Sequence, residues 1–231
     1  MLTLFIANKN YSSWSLRPWV LMTELGIPFE ERLVPFGGHT DPHNFRAFSP
    51  SGKVPCLIDG TTVVWDSLAI VEYLAEQESR VWPRDVVARA WARCAAAEMH
   101  SGFSNLRNLC TMNCGVQIRI DPFPDELLAD WTRIAELWSE GLSRFGGPFL
   151  AGSQFSAVDA FFAPVAFRAQ TYNPRLPIEA RQYVERMLNL PSMQKWYSDA
   201  LDEPWREEDH EAEVRRAGTL LSDLRRSDSQ T

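Results

Sequence analysis

Three short stretches carry side chains whose types and spacing suit the handling of an anion. In Tyr11-Ser12-Ser13-Trp14-Ser15-Leu16-Arg17-Pro18-Trp19, clustered serines lead into an apolar helical pattern that stops at Gly26. A hydroxyl just ahead of a helix can donate to an anionic acceptor beside the positive end of that helix. Gly52-Lys53-Val54-Pro55-Cys56-Leu57 puts an X-Pro bond at a strand entry, where the Val54 N–H and C=O can pair with an extended ligand as an added strand pairs with a sheet edge. Trp65-Asp66-Ser67-Leu68-Ala69-Ile70-Val71-Glu72-Tyr73-Leu74 opens a second helix, whose start offers the Ser67 hydroxyl, backbone N–H groups and the Asp66 carboxylate. Taken singly, these are also what caps, turns and strand-entry prolines look like.

The elements that must hold them can be read from periodicity. Residues 2–7 form a short buried strand, Ser15 to Leu25 a helix with Pro18 in its first turn, and Phe29 to Phe36 a second strand. Val54 to Ile58 and Thr62 to Trp65 flank Asp59-Gly60, a hairpin signal, and the helix after Asp66-Ser67 follows. The order β-α-β then β-β-α predicts a thioredoxin-like layer ending near residue 78.

Beyond Val81-Trp82-Pro83 no strand is expected. Helical windows cover 84–112 and 124–145; Ser156 caps a run through Phe167 with Asp159 at the third position; 177–188 and 191–201 are two shorter helices. The charged tail from Glu203 reads as a peripheral helix fading into disorder.

With 231 residues, 45% of them hydrophobic, the chain has material for two small packed domains. A formal charge of −7 argues against nucleic acid as a partner. No run approaches membrane-spanning length and the apolar start lacks a secretory pattern, so a cytoplasmic protein is expected. Cys56, Cys94, Cys110 and Cys114 lack disulfide-framework spacing, and no metal site is expected from them or from His39 and His43.

In that order, the three stretches resemble glutathione transferases, the first being similar to the Ser-Ser-Cys-x-Trp-Arg segment of the zeta class with Trp14 in place of cysteine. The resemblance covers about residues 1–200. It implies an α/β thioredoxin-like glutathione-binding domain over 1–80, an all-α helical bundle domain over 88–205, glutathione as co-substrate, and a homodimer; the charged residues 206–231 are left as a peripheral tail. It further implies that Ser12, with Ser13 as fallback, donates to the glutathione sulfur; that Val54, before a cis Pro55, holds the cysteinyl backbone; and that Asp66 and Ser67 hold the γ-glutamyl end. Thr40 or neighbouring His39 would lie at the glycyl end, and Asn105 beside Ser104 would turn toward glutathione. The second substrate would meet Trp14, Phe103, Arg107, Phe167, Arg168 and Tyr172. Arg17 is expected to form a structural salt bridge.

The chemistry is within reach of such a site. Holding a thiol of ordinary pKa near 8.5 as thiolate at neutral pH needs roughly 2.7 kcal/mol. A hydroxyl bond to a charged acceptor supplies roughly 1.5–3 kcal/mol and a helix N-terminus roughly 0.3–1. The activity implied is transfer of glutathione to a small electrophile, as in detoxification. Glutathione-dependent cis–trans isomerisation of the maleylacetoacetate type and a non-catalytic partner-binding role are the alternatives.

Overall fold

The structure is a computed structural model describing residues 1–37 and 44–225. Strand β1 (Leu2–Ile6) runs parallel to β2 (Phe29–Leu33) and antiparallel to β3 (Cys56–Asp59), which pairs with β4 (Thr62–Trp65) in the sheet order β2-β1-β3-β4. Helix α1 (Ser13–Leu25) crosses between β1 and β2, and α2 (Ser67–Ala75) follows β4. The expected β-α-β and β-β-α order is present. The hairpin loop is Gly60-Thr61, with Gly60 at φ 58°, a conformation that favours glycine. The Val54–Pro55 peptide bond is cis.

Two local expectations are corrected. Helix α1 starts two residues earlier than the serine pattern suggested, so Pro18 lies inside the helix rather than in its first turn, and Gly26 closes it in the left-handed conformation. The second strand ends at Leu33 rather than Phe36.

The remainder is dominated by helices: α3 (Val86–Ser101), α4 (Ser104–Leu109), α5 (Asp125–Phe145), α6 (Ala157–Tyr172), α7 (Ile178–Leu188), α8 (Pro191–Asp202) and α9 (Glu208–Ala217). The window expected as one helix over 84–112 is broken by Gly102 and by Phe103, which sits at φ 59°. Helix α6 is apolar nearly all round, so it is buried all round and forms the axis against which α1 and α3 pack. Its start is the expected capping box: the Asp159 carboxylate accepts from the Ser156 N–H at 3.0 Å and also from Leu150 N–H and the Tyr183 hydroxyl. One continuous apolar cluster runs from β1 and α1 into α3, α5 and α6, so the two layers share a core.

Strands absent from the sequence reading occur here. Val116–Arg119 (β5) pairs antiparallel with Thr219–Asp223 (β6), with a register irregularity between Gln117 and Ile118. The tail is therefore helix then strand. Glu211 and Val214 of α9 are buried, which corrects the expectation of a peripheral helix fading out.

Candidate active site

A cleft of about 350 Å³ opens where the β1–α1 loop, the Val54 segment, α4, α6 and α9 meet. From the first layer it is lined by Tyr11, Ser12, Ser13, Trp14, Lys53 and Val54; from the helical part, by Arg107, Met112, Arg168, His210 and Glu213.

Ser12 takes the N-cap position of α1, yet its side chain makes no capping bond. Its hydroxyl instead donates to Ser15 Oγ at 2.7 Å, and Ser15 Oγ also accepts the Ala7 N–H at 3.3 Å. Ser13 lines the same wall. The Tyr11 hydroxyl is committed elsewhere: it donates to Glu211 at 2.8 Å, and burial together with that carboxylate pushes its pKa up to about 12. The phenol therefore stays protonated and engaged with Glu211, which leaves the Ser12 and Ser13 hydroxyls as the uncharged side-chain donors that this loop brings to the cleft.

Trp14 organises the floor. Its ring lies between two guanidinium groups, Arg17 at 4.1 Å and Arg107 at 4.7 Å, and meets His100 edge-on at 5.2 Å. Arg17 is fully buried; Nη1 reaches Ser67 Oγ at 3.4 Å, while Nε and Nη2 have no hydrogen-bond partner among the described residues. Burial and then the neighbouring Arg107 and Arg168 push its pKa down. The expected salt bridge of Arg17 is absent among the described residues; aromatic rings of Trp14 and Phe161 take its place.

Asp66 and Ser67 stand at the start of α2 outside the cleft lining. Asp66 Oδ1 accepts the Leu68 N–H at 2.7 Å, and Oδ2 lies 3.5 Å from His100 Nε2. Ser67 is buried against Arg17. The track Ser12, Trp14, Arg17, Ser67 thus links the cleft to the α2 start. Val54 lines the cleft, and the following Pro55 is buried.

Of the side chains expected around a second substrate, Trp14, Arg107 and Arg168 are in the lining. Phe103, Phe167 and Tyr172 are not: all three are buried in the core, the Tyr172 hydroxyl donating to the Thr111 carbonyl at 2.8 Å. Asn105 is half-buried on α4, outside the lining. His39 and Thr40 lie outside the described residues. Arg107 is held by the carbonyls of Met99, His100 and Gly102, and Arg168 by those of Cys110 and Pro164. Burial, then Arg107, lowers the Arg168 pKa to about 10, which leaves it charged at neutral pH. Phe36, Phe45, Met112 and His210 are lining residues that sequence reasoning missed. Phe36 and Phe45 flank a stretch of polar sequence, and His210 sits in a tail whose charge suggested solvent; the tail's return to β5 brings it here.

All four cysteines are free thiols, and burial pushes Cys110 up to about 12. Among the described residues no cluster of three His, Cys, Asp or Glu side chains could hold a metal ion, and no helix is long and apolar enough to cross a membrane.

Comparison with known proteins places this geometry. Residues 11–77 match the family model described as glutathione S-transferase, N-terminal domain, and residues 119–198 match its C-terminal domain. The maleylacetoacetate isomerase of Rattus norvegicus is 28% identical over 215 residues, 90% of this chain and 94% of that protein. The zeta-class glutathione S-transferase of Euphorbia esula is 29% identical over 169 residues, 69% and 73% of the two chains. The theta-class enzyme of Xanthomonas axonopodis pv. citri, solved with glutathione bound, superposes with a TM-score of 0.62 at 25% identity, covering 85% of this chain and 96% of that one.

Proposed function

The chain belongs to the glutathione S-transferase superfamily, and on that premise we propose that it binds glutathione along the cleft and activates the sulfur with the Ser12 hydroxyl for attack on a small electrophile. The observation that carries this is the Ser12 hydroxyl itself: buried, facing the cleft from the N-cap of α1, and not spent on capping. When a thiolate arrives, the Ser12 proton can turn from Ser15 to sulfur, and the Ser15 hydroxyl can donate back to Ser12, polarising it. Val54 would pair with the cysteinyl backbone, and Asp66 with Ser67 would take the γ-glutamyl ammonium and carboxylate. Arg17, by donating to Ser67 Oγ, turns the Ser67 hydroxyl proton outward toward that carboxylate. The glycyl end would run past Lys53 toward His39 and Thr40; Asn105 is kept as an outer contact.

Calorimetric titration with glutathione, with thiolate absorbance followed against pH in wild type and Ser12→Ala, tests the reading. Binding with a thiol pKa lowered only in wild type is expected; no binding, or equal pKa values, would sink it.

Glutathione-dependent cis–trans isomerisation is the second reading. It is favoured by the charged Arg107 and Arg168 in the cleft, which suit an anionic substrate, and by the named activity of the Rattus relative. Turnover of maleylacetone separates it from conjugation. A chain that flows through a glutathione column would instead be a partner-binding module. Detoxification in the cytoplasm and a homodimer belong to the same proposal. The second copy would cover the β4–α2 face, where Trp65 is exposed beside Val63, Val64 and Leu68, and sedimentation would read its mass.

A further inference from the structure

The C-terminal segment is bolted onto the loop that carries Ser12. Glu211 accepts from the Tyr11 hydroxyl and from Asn113 Nδ2, and is paired with Arg225; β6 pairs with β5, and the Leu224 N–H donates to the Gly115 carbonyl. These contacts fix α9 at the cleft wall and hold His210 there.

The imidazole of His210 is gripped on three sides. Its ring lies between Tyr11 and Phe36, with centroids at 5.0 and 4.9 Å. The Glu207 carboxylate takes both the His210 backbone N–H at 2.8 Å and ring Nδ1 at 2.6 Å. Nε2 makes no hydrogen bond among the described residues, and the side chain is part of the cleft lining. A carboxylate on one ring nitrogen fixes the ring's orientation and leaves the other nitrogen as the working atom. Tyr11 is the neighbour of Ser12 in sequence, so the ring flanks the end of the cleft where the sulfur would lie. The rest of the lining combines aromatic rings (Trp14, Phe45), cations (Lys53, Arg107, Arg168) and small polar or apolar side chains, with Glu213 its one carboxylate among the described residues.

We propose that His210, held by Glu207, is the proton donor to the second substrate, and that α,β-unsaturated carbonyl compounds are the electrophile class this site favours. The inference rests on the reading of the cleft as the place where glutathione meets its electrophile. The thiolate lone pair forms the C–S bond at the β-carbon; the C=C π pair shifts toward the carbonyl, whose own π pair moves onto oxygen. Nε2 delivers its proton to that oxygen, giving an enol, and a proton from solvent replaces it on the ring. The enol then takes a proton at its α-carbon and releases the O–H proton to solvent. Displacement of halide from an aromatic ring needs no such proton, because the leaving chloride carries its charge away.

The two electrophile types therefore separate this role from a structural one. His210→Phe keeps the stacking and removes the donor. Its kcat/KM with benzylideneacetone should fall about 100-fold, within the range of general acid catalysis, while that with chlorodinitrobenzene changes less than about 3-fold. Glu207→Gln should move the same ratio in the same direction by about 3- to 10-fold. Independently of turnover, His210→Phe should weaken binding of the glutathione adduct of benzylideneacetone about tenfold, one hydrogen bond's worth, and leave S-hexylglutathione within about 2-fold. Equal losses for both electrophiles and both conjugates, or no loss for either, would overturn the role of His210. A wild-type protein that binds neither conjugate would overturn the glutathione reading beneath it.

Discussion

The hydroxyl of Ser12 donates to Ser15 Oγ across 2.7 Å, so the side chain facing the cleft is backed by a second hydroxyl that is itself fully buried. If Ser12 is the donor to sulfur, as proposed, Ser12→Ala should lower kcat/KM about 100- to 1,000-fold, as loss of a single preorganised donor to an anion does. Ser15→Ala removes only the polarising partner and should cost about 5- to 10-fold, with the bound thiol pKa raised in both variants. Ser13→Ala should leave both nearly unchanged. Stopped-flow absorbance of the thiolate decides the order.

Arg17 and Ser67 make a second separable pair. A fully buried guanidinium with two unpartnered nitrogens contributes little to stability, because the missing partners offset its contacts with Trp14 and Phe161. Arg17→Met should therefore leave unfolding free energy within about 1 kcal/mol of wild type. The Ser67 hydroxyl, no longer oriented, should bind the γ-glutamyl carboxylate less well, and the glutathione Kd should rise about tenfold. A large fall in denaturant midpoint with unchanged Kd would assign Arg17 to packing alone.

How far the sequence reached follows from the range of the interactions involved. Local signals served well: Ser156 and Asp159 form their capping box, and the apolar periods of α5 and α7 match helices within a residue. Site contacts between neighbours in sequence, Ser12 with Ser15 or Asp66 with Leu68, follow from helix starts. What failed depended on distant partners. Val116–Arg119 alternates buried and exposed residues, the strand period, but four residues are too few to stand out without the tail that pairs with them. Phe167 and Tyr172 share a helix with Arg168, yet α6 is buried all round, so helical spacing could not say which residues reach the cleft. Phe103 was misplaced because its left-handed backbone turns the chain between α3 and α4.

Glu203 links stability to pH. It accepts the backbone N–H groups of Lys9 and Asn10 at 2.6 and 3.3 Å, tying the Ser12 loop to the helical layer, and burial pushes its pKa up to about 7. A carboxyl raised in the folded state binds its proton more tightly there than when unfolded. Its contribution is fully present below the unfolded value, near about 4.3, and is lost as pH rises through about 7. The stability of wild type relative to Glu203→Gln should thus decline between about pH 4.5 and 7.5, by up to about 1.4 kcal/mol per pH unit, measured by urea unfolding. A difference that stays flat or climbs with pH would place the Glu203 pKa in the ordinary range.

Glu211 tests whether the tail belongs to the working site. Its carboxylate holds Tyr11, Asn113 and Arg225 at once, so Glu211→Ala takes the acceptor from a buried phenol and leaves the buried Arg225 guanidinium with Asp223 as its remaining carboxylate. Breaking one side of such a pair costs about 3–5 kcal/mol, and the loss is expected to fall first on α9 and β6, which contribute only Val214 to the buried apolar cluster. The amides of β5 and of Leu224 should lose protection from hydrogen exchange while those of α6 keep theirs. Glutathione, on the proposed placement along the first layer, should bind as in wild type. The electrophile, on the proposed placement at His210, should show a raised KM. Equal exchange in β5 and α6 would mean that the tail unfolds only with the whole chain; an unchanged KM would mean that the electrophile does not touch it.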